Sequence, residues 1–218
     1  RLRMDREDEI GHLAKAFDTM TQRLKILEAL HLDASPLTRL PGNLAIEQEI
    51  RQRLSKGQTF SLCHIDLDNF KPFADAYGYA WGSEVIKETA LILEDVKREA
   101  GSEEDFIGHI GGDDFVLLSS PERACRMCTQ MVAQFEGRIR KFYNEEDRGR
   151  GFSIAKDRQG QQRHFPLITI TVSMVTDDGT TYQNPLEMAK MAAEVKEYGK
   201  RLPGSNYVTK EEMEANEG

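Results

Sequence analysis

Little in this chain suits covalent cross-linking or burial in lipid. Its three cysteines, Cys63, Cys125 and Cys128, are too few and odd in number for a disulfide framework, a count that fits a reducing compartment. No apolar run approaches the length of a membrane span, and no signal-peptide pattern opens the sequence. Positive charge is also short. With 29 Lys and Arg against 37 Asp and Glu the net charge is −8, which argues against nucleic acid as a partner, because neutralising a phosphate backbone needs a basic face. A single nucleotide needs only a local basic pocket, so small phosphate ligands stay open. What is present, 39% apolar and 30% charged residues over 218 positions, matches a globular protein with one good core and an appendage.

The most informative stretch is Phe106-Ile-Gly-His-Ile-Gly-Gly-Asp-Asp-Phe-Val-Leu-Leu118. Two apolar runs flank Gly111-Gly112, and a glycine pair there signals a β-hairpin, because both residues accept positive φ without a Cβ clash. Asp113 and Asp114 follow at once. Backbone without side chains lets an anion approach while carboxylates hold a cation beside it. Taken alone, such a turn reads more readily as a solvated acidic loop. A second segment changes the balance: Phe60-Ser-Leu-Cys-His-Ile-Asp-Leu-Asp-Asn-Phe-Lys71 is a nearly continuous apolar strand, the pattern of a central one, and it ends in Asp66, Asp68 and Lys71. Acids at the end of a buried strand reach the sheet rim, where Asp66 and Asp113 can share a divalent cation. This geometry requires Asp66 to lie beside the pair after Gly112, with three acids gathered around one ion.

Along the chain, Ile10, Leu13, Ala14, Phe17, Met20, Leu24 and Leu27 recur at helical spacing and predict one amphipathic helix from about Asp5 to Leu30. Two prolines and a glycine between His31 and Gly42 mark a boundary. Helices are expected over Asn43–Leu54, with Leu44, Ile46, Ile50 and Leu54 inward, and over Ala80–Ala100, with Val85, Ile86, Ala90, Leu91 and Leu93 inward. A third follows over Pro121–Tyr143, opened by Ser120 as N-cap, and a last one over Pro185–Arg201. Strands are expected at Thr59–Asp66, at Asp105–Ile110 with Asp114–Ser119, and at Asn206–Val208. A second hairpin pairs Phe152–Lys156 with His164–Val175 around Asp157–Gly160. Residues 144–151 read as loop and 211–218 as a fraying acidic tail. Cys125 and Cys128 fall within a helical pattern with no second metal-ligand pair, so packing is expected of them. Hairpins interleaved with helices point to α+β with an antiparallel sheet.

Taken together, Leu37-Thr-Arg-Leu-Pro41, Asp66-Leu-Asp-Asn-Phe-Lys71, Tyr77-Gly78, Gly111-Gly-Asp-Asp-Phe115 and a Lys200-containing C-terminal segment resemble the GGDEF domain of diguanylate cyclases, over about Asp33 to Val208. The resemblance implies a ferredoxin-like domain, residues 32–210, with a central mainly antiparallel sheet flanked by helices. It also implies a homodimer in which two GTP molecules meet and each 3′ hydroxyl attacks the other's α-phosphate, giving cyclic di-GMP and pyrophosphate. By position, Asp66, Asp113 and the Leu67 carbonyl resemble the ligands of Mg2+ or Mn2+. Asp113 and Asp114 stand at the catalytic acids, the second where the family prefers Glu. Lys71 and Lys200 resemble the residues that hold the terminal phosphates, beside Gly111 and Gly112.

Several positions depart from the family. The base-reading positions carry Ala74 and Ser83 instead of Asn and Asp, which puts guanine selectivity in doubt. At the inhibitory product site only Asp105 of Arg-x-x-Asp survives, so product feedback by that route is not expected. Ser35, Arg39, His109 and Ser205 also differ from the usual Asp, Gly, Arg and Arg. Neither His109 nor His64 is expected to act as a base. Asp8 to Met20 is similar to the second helix of a HAMP linker, so residues 1–31 read as a signalling helix; the other reading is an ordinary helix packed on its own domain. The HAMP reading implies the cytoplasmic part of an inner-membrane-anchored sensor, with a cyclic di-GMP phosphodiesterase domain possible beyond residue 218. Against an active cyclase stands a degenerate domain that binds GTP, another nucleotide or nothing and serves regulation or dimerisation.

Overall fold

The computed structural model of the chain describes residues 9–156 and 161–217; positions 5–8 of the expected first helix and the Asp157–Gly160 turn lie outside them. The first helix, α1 (Glu9–Asp33), ends where its last residue is captured: the Asp33 carboxylate accepts from the backbone amides of Leu44 and Ala45, 3.1 Å each, at the start of α2 (Asn43–Ser55). That contact supplies the acid that α2 lacks in its own first turn. On α1 the side chains of Leu13, Phe17, Met20 and Leu24 are uncovered, with Leu13 70% and Phe17 57% exposed.

Next come β1 (Phe60–Asp68), α3 (Phe70–Tyr77), α4 (Tyr79–Ala100), the hairpin β2 (Phe106–Gly111) and β3 (Asp114–Ser119), and α5 (Pro121–Ile139). They are followed by α6 (Glu145–Arg150), a small hairpin of β4 (Phe152–Lys156) and β5 (Gln162–Pro166), then β6 (Thr169–Asp177), α7 (Pro185–Gly199), β7 (Asn206–Thr209) and α8 (Lys210–Glu217). The main sheet runs β2-β3-β1-β6-β7 and is antiparallel except for the last pair. This is the expected α+β build.

Both faces of β1 are covered, which is why apolar residues occupy both of its alternating faces. Cys63, Ile65 and Leu67 join Phe115, Leu117, Ile170 and Val172 under α4 and α5, against Ile92, Met127, Met131 and Phe135. Phe60 and Leu62 join Val116 and Leu118 under α2 and α7, against Ile46, Ile50, Met188 and Val195. The cysteines pack as expected: Cys63 and Cys128 are buried with their sulfurs 3.5 Å apart, and all three thiols are free.

Several local expectations need correction. Leu91 and Leu44 are 48% and 56% exposed, because the buried stripe of α4 runs through Val85, Thr89, Ile92, Leu93 and Val96 and that of α2 through Ile46, Ile50 and Arg53. Ser120 holds the N-cap position of α5 without a side-chain capping bond, and a separate 3-10 turn, Arg140–Phe142, replaces the last expected turn of that helix. Residues 144–151 are not loop: Asn144 Oδ1 accepts from Asp147 N at 2.8 Å and caps α6, which Gly151 ends at φ 78°. The stretch from His164 to Val175 is two strands in two sheets, broken after Pro166. There the buried Ile168 amide donates to Tyr143 Oη at 2.9 Å instead of to a ladder. Residues 210–217 form a helix whose Met213 is buried against the second core, so most of the expected acidic tail is folded. The helix α3 had no counterpart in the sequence reading. Asn69, at φ 61°, turns the chain off β1 into it, and Pro72 is tolerated in its first turn.

Candidate active site

The hairpin places its acids through register. Asp114 is directly opposite Asp66 across the β3–β1 ladder, so two carboxylates from segments far apart in sequence meet at one rim. Gly111 and Gly112 take φ 145° and 60°, and a Cβ added to either would meet nothing within 4 Å. The backbone there is open to an approaching anion.

Two ammonium groups from the end of α7 hold the acids in place. Lys200 Nζ lies 2.7 Å from Asp66 Oδ1; Lys196 Nζ lies 3.0 Å from Asp66 Oδ2 and 3.3 Å from Asp114 Oδ1. On its other side Asp114 Oδ1 is 2.9 Å from His64 Nε2. Burial pushes the Asp114 carboxyl upward in proton affinity, but the His64 contact and the Lys196 charge outweigh it and hold the group well below the ordinary carboxylate range. Asp113 behaves oppositely. Burial raises its pKa, and the charges of Asp66 and Asp114 add to that. Lys196 is raised, its burial outweighed by the bonds and charges of Asp66 and Asp114.

A cleft of about 600 Å³ runs along this rim, lined among others by Asp66, Leu67, Asp68, Lys71, Asp113 and Lys200. The structure therefore brings together Asp66, Leu67, Lys71, Asp113 and Lys200, and sets Gly111 and Gly112 in the adjoining turn. Asp68 is engaged from within, accepting from Thr169 and Thr171 hydroxyls at 3.0 and 2.7 Å. Lys71 is 67% exposed, and its nearest acid is Asp75 at 3.8 Å. Ala74 and Ser83 do not line the cleft; α3 and α4 pack tightly there, since a Cβ at Gly82 would sit 3.2 Å from the Phe70 ring and 3.4 Å from Ala74 Cβ.

Three acids around one ion is not the arrangement found. Among the described residues no group of three His, Cys, Asp or Glu side chains is placed to hold a metal, because Asp114 is turned to His64 and Lys196. The donors that remain for a divalent ion are Asp66, Asp113 and the Leu67 carbonyl. They are hard oxygen ligands of the kind Mg2+ takes with a phosphate, and since both Asp66 oxygens already face lysines, an ion there shares them with Lys196 and Lys200.

Sequence reasoning missed Lys196 and His64. The signal for Lys196 was its place one helical turn before Lys200 on the same face of α7; for His64 it was alternation, which puts it on the same side of β1 as Asp66. Asp105 is structural: buried, it accepts from Arg123 through both oxygens and from the Ser102 amide at 2.7 Å. A second hollow of about 560 Å³ lies between α2 and α7 with His64 in its wall. Its charged side chains, Glu47 and Arg51, are spent on each other, so it offers a triphosphate no counter-charge.

The fold and the rim together define an α+β domain whose sheet carries carboxylates and lysines beside an exposed glycine turn. The chain belongs to the GGDEF family, since the family model described as "Diguanylate cyclase, GGDEF domain" matches residues 31–201. Relatives include diguanylate cyclase DgcP of Pseudomonas aeruginosa, 36% identical over 53% of this chain and 16% of that protein. Diguanylate cyclase A of Treponema denticola is 31% identical over 71% of this chain and 36% of that protein. The chain thus spans only a minor part of the curated relatives it matches. The crystal structure of diguanylate cyclase SiaD with its activator SiaC from Pseudomonas aeruginosa aligns with a TM-score of 0.63 at 19% identity, over 92% of this chain and 70% of that one, a likeness of fold alone. Among the described residues no helix is long and apolar enough to cross a membrane.

Proposed function

We propose that this domain is a diguanylate cyclase-type nucleotidyltransferase module of cyclic di-GMP signalling, with its phosphate half kept and its guanine-reading half reduced. The observation that carries this reading is one cleft holding Asp66, Leu67, Asp113, Lys71 and Lys200 while excluding Ala74 and Ser83. Asp66, Asp113 and the Leu67 carbonyl would hold Mg2+ or Mn2+, which neutralises the triphosphate and polarises the reacting oxygens when bound. Lys71 and Lys200 hold the terminal phosphates, and the Gly111–Gly112 backbone lets them approach. The carboxylates that follow the glycine turn, Asp113 and Asp114, are the groups this chain offers to take the proton of the attacking 3′ hydroxyl. Asp114, committed to His64 and Lys196, keeps Asp66 in place through their shared lysine. Guanine's N1–H and N2–H2 lose their partners at Ala74 and Ser83, and each donor left unpaired on burial costs about 1–3 kcal/mol. GTP should therefore bind weakly and with little preference over ATP. Since each subunit supplies one nucleotide, turnover requires two copies.

A second reading, a regulatory domain without turnover, is favoured by one observation. Lys196 and Lys200 already satisfy Asp66, so the site is charge-balanced without an added ion. Assaying the purified, dimerised protein with GTP and Mg2+ separates the two. Steady cyclic di-GMP formation that disappears in Asp113→Ala establishes the enzyme. No product even from Ala74→Asn/Ser83→Asp establishes the regulatory module.

In the longer protein, residues 1–31 serve as a HAMP-like input helix ahead of the domain at 32–210, in a cytoplasmic position behind an inner-membrane anchor. The exposed Leu13, Phe17, Met20 and Leu24 of α1 support a helical partner for it. A relative in Pseudomonas aeruginosa, 30% identical over 146 residues, carries the name bifunctional diguanylate cyclase/cyclic di-GMP phosphodiesterase MucR, which supports a phosphodiesterase domain as a companion.

A further inference from the structure

The linker between α1 and α2 lies along β2, the outer strand of the sheet, and its grip on that strand is centred on His109. The His109 amide donates to Pro41 O at 2.8 Å, and Asn43 Nδ2 donates to Ile110 O at 3.1 Å. The imidazole, 5% exposed and stacked on Phe115 at 4.4 Å, reaches in two directions. Nδ1 is 2.9 Å from Ser35 Oγ and 3.0 Å from Thr38 Oγ1, and Nε2 is 3.1 Å from the carbonyl oxygen of Gly112. The proton positions follow from the partners. A carbonyl only accepts, so Nε2 carries the hydrogen and Nδ1 is the acceptor. The two hydroxyls accept in turn from the Thr38 and Leu40 amides, both at 3.4 Å, which leaves their hydrogens to donate to Nδ1. Burial lowers the His109 pKa and keeps the ring in this neutral form.

We propose that His109 is a positioning residue that couples the linker at Ser35 and Thr38 to the Gly111–Gly112 turn, so that the placement of Asp113 depends on how the linker is seated. The turn needs such a tether. Gly112 adopts φ 60° and a Cβ built on it would meet nothing within 4 Å, so beyond the Gly111–Asp114 pairing of the hairpin the open side of the turn has no packing contact. The ring supplies what packing does not: one hydrogen bond to the Gly112 carbonyl, made by a ring whose tautomer the linker hydroxyls select. The linker in turn is bound to the end of α1, where the Asp33 carboxylate holds the start of α2 and a Cβ at Gly42 would fall 2.0 Å from Asp33 O. The end of α1 is thus joined to the acid through the linker backbone, the Ser35 and Thr38 hydroxyls, the ring and the Gly112 carbonyl. The inference rests on the reading of Asp113 as a cation ligand, and it makes the cation site responsive to the linker.

The test uses the 218-residue chain, with Mn2+ as the probe ion. Ser35→Ala/Thr38→Ala removes both donors to Nδ1 and keeps the ring; His109→Gln is the companion variant, in which a carboxamide that both donates and accepts restores part of the bridge. The ring nitrogens of the wild type should show the Nε2–H tautomer by 15N NMR. In the double variant the amide order parameters of Gly112 and Asp113 should fall together with those of the linker, and Mn2+ affinity should weaken by about fivefold or more, the lower end of coupling between sites. His109→Gln should lie between the two. Loosening confined to residues 35–41, with Gly112, Asp113 and the Mn2+ affinity unchanged, overturns the proposal and leaves His109 a fastener of the linker alone. These readouts require no turnover, so an inactive protein that retains the coupling refutes the cyclase reading and not this one.

Discussion

Lys196 offers the most direct test of how the rim is assembled. Its ammonium, on a side chain only 14% exposed, lies between Asp66 and Asp114, whose side chains are 9% and 31% exposed. Replacing it with Met keeps the length and the apolar stem while two carboxylates in register across the ladder lose their shared counter-charge. Leaving a fully buried charge unpaired costs about 3–5 kcal/mol. Here Asp66 keeps Lys200 at 2.7 Å and Asp114 keeps His64 at 2.9 Å, and the rim is partly wetted. Two charge-assisted bonds of about 1.5–3 kcal/mol each are lost, partly offset by those surviving partners, so a net destabilisation of about 2 kcal/mol is expected. Urea unfolding of the wild type and Lys196→Met measures it, and Asp114→Asn in the Lys196→Met background should recover part of the loss because it removes the repulsion. Mg2+ should stabilise Lys196→Met more than the wild type, since an added cation then substitutes for the missing ammonium. A destabilisation below about 0.5 kcal/mol, the size of an ordinary surface change, would refute the view that this lysine neutralises the acids.

Three further outcomes follow from packing and burial. Gly108→Ala would place a Cβ 2.4 Å from Ile46 Cγ1, forcing α2 off the sheet, with an expected cost of about 1–3 kcal/mol by thermal unfolding. Tyr143→Phe leaves the buried Ile168 amide without its acceptor and should cost about 1–3 kcal/mol in the same assay. For Asp105, burial works to raise the pKa, but Arg123 and the Ser102 amide outweigh it and lower it. A carboxylate whose folded pKa is depressed stabilises the fold above its unfolded value, about 3.9, and loses that contribution as pH falls through the folded value. Acid titration should accordingly show the stability gap between wild type and Asp105→Asn shrinking below about pH 4, and a gap independent of pH would disprove the assignment.

The sequence by itself determined the elements whose causes are local. The Gly111–Gly112 hairpin follows from φ freedom between two apolar runs, and the central position of β1 from apolar residues on both of its alternating faces, which a strand covered on both sides requires. Helical spacing sufficed for α2, α4, α5 and α7 because that signal is local to each segment, and the order of several motifs between Leu37 and Lys200 sufficed for the family resemblance. Tertiary structure decided what depends on partners from distant segments. A capped turn and a charged loop look alike until Asn144 is seen to cap α6, and a β-branched run does not state that Pro166 and Thr169 belong to different sheets. Lys196 and His64 became site residues only when β1, β3 and α7 were brought together, since a charged side chain acquires its role from the opposite charge it meets. For the same reason Ser35 and His109, read singly as departures from a motif, became partners once the linker was seated along the edge of the sheet.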